Sequence, residues 1–146
     1  MSLWIEFFAF GVPKGQPRPK ATIRGKHAGV YDPGTSNDWK DSVRFAAKEA
    51  WKSRIPFRGP VCLWISCYMP RPKNHIKKNG TVKDWAPKWV ETKPDNDNIE
   101  KAVMDALTSI GIWKDDAQVA RNITEKVYAA PGMSPHAMIR IEELNQ

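Results

Sequence analysis

The sequence predicts an α+β fold: a single domain spanning 1–146, in which two main helices pack on one face of a mixed four-stranded sheet, a two-layer sandwich in the order β-α-β-α-β-β. Three observations predict it. Two segments, near 37–52 and 97–110, repeat apolar residues at the helical period. Four others, Leu3–Phe10, Val61–Met69, Val119–Tyr128 and Ala137–Leu144, are short runs that alternate or stay apolar, as strands do. The chain has 146 residues and 41% hydrophobic content, too apolar for disorder and long enough for one core without disulfides.

Leu3–Phe10 places Leu3, Ile5, Phe7 and Ala9 on one face and Trp4, Glu6, Phe8 and Phe10 on the other. Apolar residues on both faces predict either an interior strand or one whose second face meets a partner. Gly11–Tyr31 is rich in Pro, Gly and basic residues, and reads as a semi-ordered arm that contacts phosphates. Lys14, Arg18, Lys20, Arg24 and Lys26 occur there with no acid between them, and His27 reads as a surface residue. Ser36 or Thr35 can cap the first helix, whose buried stripe is Trp39, Val43, Ala46, Ala47 and Ala50. Lys40, Arg44 and Lys48 give that helix a basic edge, solvated or available to DNA.

Val61–Met69 is apolar enough for the sheet interior. Cys62 and Cys67 lie five apart on it and point to opposite faces, so they neither bridge nor form a Cys-x-x-Cys pair. A reduced, cytoplasmic setting fits. Pro70–Lys93 is a long basic loop carrying Lys73, Lys77, Lys78, Trp85 and Trp89. Its tryptophans either stack on unpaired bases or pack the loop onto the body. Near the end of the chain, Val119, Ile123 and Val127 are expected to point inward, and Ile139 and Ile141 alternate with Met138, Arg140 and Glu142. No run approaches the ~18 apolar residues of a membrane span, and Met1–Phe10 lacks the charged start of a secretory signal.

The informative stretch is Lys93–Val119. Its helix should start near Asp97 or Asn98, after Pro94, and end at Gly111, with Ile99, Val103, Ala106, Leu107 and Ile110 facing the core. Asp97, Lys101 and Asp105 recur every fourth residue on nearly the opposite face. Asp95 precedes the helix, and Asp115-Asp116 follows it. Such a stripe is also what an ordinary solvated face with caps and ion pairs looks like. Two features argue for more. Adjacent aspartates repel unless a cation or dipole is near. The acidic cluster also belongs to a chain of formal net charge +7, and carboxylates in a basic protein suit a hard cation meeting a phosphate backbone.

The ordered run Asp95-Asn96-Asp97-Asn98, Lys101, Asp105-Ala106-Leu107, Gly111, Trp113 and Asp115-Asp116-Ala117-Gln118-Val119 resembles the RusA-type Holliday junction resolvases. Arg18-Pro19 and the Trp39–Trp51 helix stand where that family has its basic loop and first helix, and Lys126 lies near a lysine it often carries. Position 96, often apolar in the family, is Asn here. The resemblance implies a bacterial or phage-encoded, dimeric, Mg²⁺-dependent endonuclease (Mn²⁺ as a substitute) acting on four-way junction DNA. It further implies Asp95, Asp97 and Asp116 as metal ligands and Lys101 as a catalytic lysine.

Asp105 is then expected either to orient Lys101 or to act structurally, and Asp115 to support Asp116. Lys14, Arg18, Lys20, Arg24, Lys73, Lys77 and Lys78 are expected to contact DNA. The competing expectations are a less selective branch or flap endonuclease and a non-catalytic junction-binding protein.

Overall fold

A computed structural model of the protein describes residues 3–17, 20–24, 27–31, 34–52 and 55–144. The elements are β1 (Trp4–Phe10), β2 (Lys20–Arg24), β3 (His27–Tyr31), α1 (Asn37–Ala50), β4 (Val61–Met69), α2 (Asn96–Ser109), β5 (Val119–Tyr128) and β6 (His136–Glu143). The main sheet runs β1-β6-β4-β5. β6 pairs antiparallel with both β1 and β4, and β4 pairs parallel with β5, so the sheet is mixed. A parallel pair needs a crossover, and α2 lies in the connection that supplies it. The α+β architecture of four strands and two helices is as the sequence predicts.

The core lies between the helices and one sheet face. Phe7, Ala9, Leu63, Ile65, Cys67, Ile139 and Ile141 from the strands meet Trp39, Val43, Ala47, Ile99, Val103 and Leu107 from the helices. The helical stripes are therefore those of the 3.6-residue pattern. Gly111, at φ +76°, takes the left-handed conformation that lets the chain leave α2.

Three sequence expectations are revised. β1 is an edge strand, and Trp4, Phe8 and Phe10 on its outer side are half exposed or more. The arm 11–31 is not simply a loop, because Lys20–Arg24 and His27–Tyr31 pair as an antiparallel hairpin. On β5, Val119 packs against the core but Ile123 does not. The ladder steps from Val61–Val119 to Cys62–Arg121, leaving Ala120 as an extra residue. That bulge reverses the alternation beyond it. Ile123 emerges 40% exposed beside Trp64, while Thr124 and Lys126 turn toward α2.

Candidate active site

α2 starts at Asn96 with Asp95 as its N-cap, in extended backbone at φ −71°, ψ 148°. The Asp95 carboxylate accepts no capping hydrogen bond, so that oxygen pair is not consumed by the helix end. Among the described residues, Asp97 Oδ1 accepts a local bond from the Asn98 N–H, at 3.0 Å. Both aspartates and Lys101 are exposed. Asp97 and Asp105 are separated by roughly 12 Å of helix rise. The strip Asp97–Lys101–Asp105 thus runs along the helix with a cation at its middle.

The start of this strip is pinned to β5. Asn96 Nδ2 donates to Thr124 O (3.1 Å), and Thr124 Oγ1 donates to Glu100 Oε1 (2.7 Å). Lys126 Nζ donates to Thr92 O at 2.7 Å and Pro94 O at 2.8 Å, fixing the segment that delivers Asp95. From the other side the Gln16 N–H donates to Asn98 O at 2.8 Å, laying the N-terminal arm along the first turn of α2.

The other end of the strip is held by α1. Lys40 is buried, and its Nζ lies 3.8 Å from Asp105 Oδ2. Arg44 donates from Nε to Ser109 Oγ at 2.9 Å and pairs with Asp41 at 2.6 Å. The basic edge expected to be solvated or available to DNA is therefore partly spent on the α1–α2 seam. Asp105 is paired with Lys40, and no ion pair joins it to Lys101 among the described residues.

Asp115 and Asp116 divide the work of their dipeptide. Asp115 caps the short turn Asp116–Gln118: its Oδ1 accepts from the Ala117 N–H at 2.8 Å, and Gln118 Oε1 accepts from the Asp115 N–H at 3.3 Å. The Ala117 bond, then the bond with Asp116 and the charge of Lys114, hold the Asp115 carboxyl below its ordinary value. Asp116 is pushed up instead. The causes are its hydrogen bond to Asp115, a slight loss of hydration, and repulsion from Asp115 and Asp105. Asp105, Asp115 and Asp116 share an open cleft of about 380 Å³ with Lys114, Thr108 and Ser109. Asp116, whose charge is disfavoured beside two other carboxylates, is a natural place for a cation.

Among the described residues, no three His, Cys, Asp or Glu side chains converge closely enough to hold a metal by themselves. Asp95 and Asp97 mark one end of α2, whereas Asp116 shares its cleft with Asp105 toward the other. Neither end gathers more than a few carboxylates, and Mg²⁺ is commonly held by only one or two, with water and substrate phosphate completing the shell.

The basic segments are more ordered than their composition predicts. In 70–93, Lys73–His75 forms a short 3₁₀ turn, and His75 is buried edge-on against Trp85 and Tyr128. Arg71 donates to Ala129 O and Pro87 O, so its role is structural. Trp85 and Trp89 remain 61% and 56% exposed, with Lys83 and Lys88 over their rings. Lys77 makes only a loose, exposed pair with Asp84 at 3.9 Å, and Lys14 and Lys78 are exposed. Lys20 and Arg24 begin and end β2, and Arg18 lies outside the described residues.

Sequence reasoning missed Gln118 and Lys40. Gln118 Nε2 donates to Phe57 O and Gly59 O while its Oε1 receives the Lys114 and Asp115 N–H groups. The Asp115-x-x-Gln118 spacing of a capping box was the available signal. For Lys40, the signal was the match of Lys40 and Arg44 to Asp105 and Ser109, each pair four apart.

A family model described as endodeoxyribonuclease RusA matches residues 11–142. The chain is also 33% identical over 144 residues, 97% of either chain, to a Bacillus subtilis (strain 168) protein described as "Uncharacterized protein YqaN".

Proposed function

Because the chain belongs to the RusA endodeoxyribonuclease family, we propose that it is a Mg²⁺-dependent nuclease that resolves Holliday junctions by paired, symmetrical phosphodiester cleavage in recombination and repair. The observation that carries this reading is the strip on α2, carboxylate–lysine–carboxylate, with Asp97 and Lys101 exposed and Asp105 half-buried beside Lys40, in a chain of net charge +7. A protein that only bound DNA would gain nothing from carboxylates turned toward phosphate.

Asp95, Asp97 and Asp116 are the groups that would hold the cation, with Mn²⁺ able to substitute. The chemistry a bound Mg²⁺ supplies is neutralisation of phosphate charge and a more acidic attacking water. Lys101 lies between the carboxylate ends and offsets the negative charge that grows on phosphate in the transition state. Lys126 and Lys40 act through others: one fixes the lead-in to Asp95, the other fixes Asp105. Lys14, Arg18, Lys20, Arg24, Lys73, Lys77 and Lys78 are proposed phosphate contacts.

A four-way junction offers two equivalent strands about a two-fold axis, so a two-fold homodimer places one site at each. Support for a dimer comes from the sheet face that carries no helix, where Trp4, Phe8, Phe10, Trp64 and Ile123 are exposed. No helix among the described residues is long and apolar enough to cross a membrane, and Cys62 and Cys67 are free thiols. We assign the protein to the reducing cytoplasm.

The deciding experiment compares four-way junction, flap and linear duplex, with and without Mg²⁺. Symmetrical junction cuts that require the metal are expected. Equal cutting of flaps would make it a general branch nuclease, and binding without cleavage would make it a junction-binding protein. Asp97→Asn should hold or raise junction affinity, because it removes repulsion of the backbone, while abolishing cleavage. Near-normal Mg²⁺-dependent cleavage by that variant would remove Asp97 from the metal site.

A further inference from the structure

We propose that the cleft between the N-terminal arm and the lead-in to α2 captures a single unpaired nucleobase of the bound DNA strand, an inference that rests on the reading of the protein as a DNA nuclease. The cleft has a volume of about 530 Å³. That is within the ~300–1,000 Å³ of small-molecule sites. Its floor is apolar, with Met69 and Val90 buried and Tyr128 as an aromatic wall. Its rim carries the exposed Lys14 and Lys93. An apolar, aromatic floor under a cationic rim matches a base attached to its phosphate.

The walls are preformed. Gly15 lies so close to α2 that an added Cβ would stand 2.8 Å from Asn98 Cβ and 3.2 Å from Pro94 Cβ. Only glycine lets the arm approach this far. Lys126 fastens the opposite wall through Thr92 O and Pro94 O, and its own carbonyl accepts from the Val90 N–H at 3.1 Å. The Tyr128 ring is set by the Arg71 guanidinium 5.3 Å from its centre and by His75, edge-on at 5.1 Å. Pro94 belongs to the cleft and Asp95 follows it directly, so a nucleotide beside the acidic strip is within reach. Extruding a base from duplex DNA costs pairing and stacking, and costs least where pairing is already interrupted. The cleft would therefore favour branch points over linear duplex.

The test places 2-aminopurine singly at each position flanking the crossover of a four-way junction, with Ca²⁺ replacing Mg²⁺ so that the strands stay intact. Wild type should give a several-fold fluorescence rise at one position. Thr92→Phe, at an exposed residue lining the cleft, should lose the rise and lower the preference for junction over duplex by about 10-fold, whereas Thr92→Ser keeps both. Val12→Phe, also at an exposed lining residue, should act like Thr92→Phe. A junction that is bound with no rise at any position, or an unchanged rise in both Phe variants, overturns the base site and leaves the nuclease reading standing. A junction neither bound nor, with Mg²⁺, cut overturns both.

Discussion

At the scale of single residues, charge and burial give separable expectations. Lys101 is exposed in the middle of the α2 strip, with no ion pair to Asp97 or Asp105 among the described residues. An exposed helix pair would be worth only ~0.3–0.5 kcal/mol in any case. A lysine acting on the transition state is worth far more. Lys101→Ala should fold, bind junctions, and cut them at least ~100-fold slower in single-turnover assays at saturating enzyme and Mg²⁺, about 2.7 kcal/mol at the barrier. Wild-type speed in that assay would remove Lys101 from the chemistry. The cysteines give a second expectation. Burial pushes the Cys67 thiol up to about 12, and Cys62 is also buried and raised. The reactive thiolate of Cys67 is then scarce at pH 8, so neither thiol should react with iodoacetamide until guanidinium unfolds the protein. Labelling of native Cys67, read by mass spectrometry, would contradict its burial.

At the scale of elements, local pattern was legible where one residue type dictates one geometry. Pro94 precedes α2 and Gly111 follows it as expected, although the helix starts at Asn96, a residue or two before the expected Asp97 or Asn98. The apolar stripes of both helices pack on the core. The acidic dipeptide was legible only in part. Its repulsion argued for a nearby cation or dipole, and the structure gives Asp115 the N–H groups of a 3₁₀ turn while leaving Asp116 in the cleft with Asp105. Gln118 holds that arrangement by serving two carbonyls and two N–H groups. Gln118→Ala would leave part-buried backbone groups without partners, at a cost of roughly 1–3 kcal/mol. Thermal unfolding should fall by about 2–4 °C for each kcal/mol of that cost, and cleavage should fall with it as Asp116 shifts. An unchanged melting temperature would show that water replaces these bonds without loss.

At the scale of the whole molecule, the helix-free sheet face and the basic segments make different demands. Trp4, Phe8, Phe10, Trp64 and Ile123 share the outer face, crossed by the Arg140–Glu6 and Arg140–Glu142 pairs. If two copies meet there, Phe8→Glu places a charge in the seam. Sedimentation should then show a monomer that stays folded and no longer makes paired cuts. A dimer of unchanged affinity would move the seam elsewhere. The lysines act over a longer range. Replacing Lys77 and Lys78 with Gln should weaken binding across sequences and flatten its salt dependence, by a slope of roughly 1 for each phosphate no longer neutralised. An unchanged slope would assign those charges to solubility.

Short-range periodicity and charge were enough to specify both helices, all four strands of the main sheet, the acidic strip and the basic segments flanking it. A side chain's face follows from its spacing along one element, and spacing is local. Which partners those faces meet was settled by long-range packing alone. Apolar residues on both sides of β1 fit an interior strand or one whose second face meets a partner, and strand order excludes the first by setting β1 at the edge. Ile123 reads as inward because alternation assumes an unbroken ladder, and one bulged residue, visible only in the pairing with β4, turns it out. Lys40 reads as a solvated helix charge until α1 packs on α2 and buries it against Asp105. The separation of Asp116 from Asp95 and Asp97 along α2 is of the same kind. β5 fixes where the turn carrying Asp116 arrives, and that depends on a pairing between strands distant in sequence.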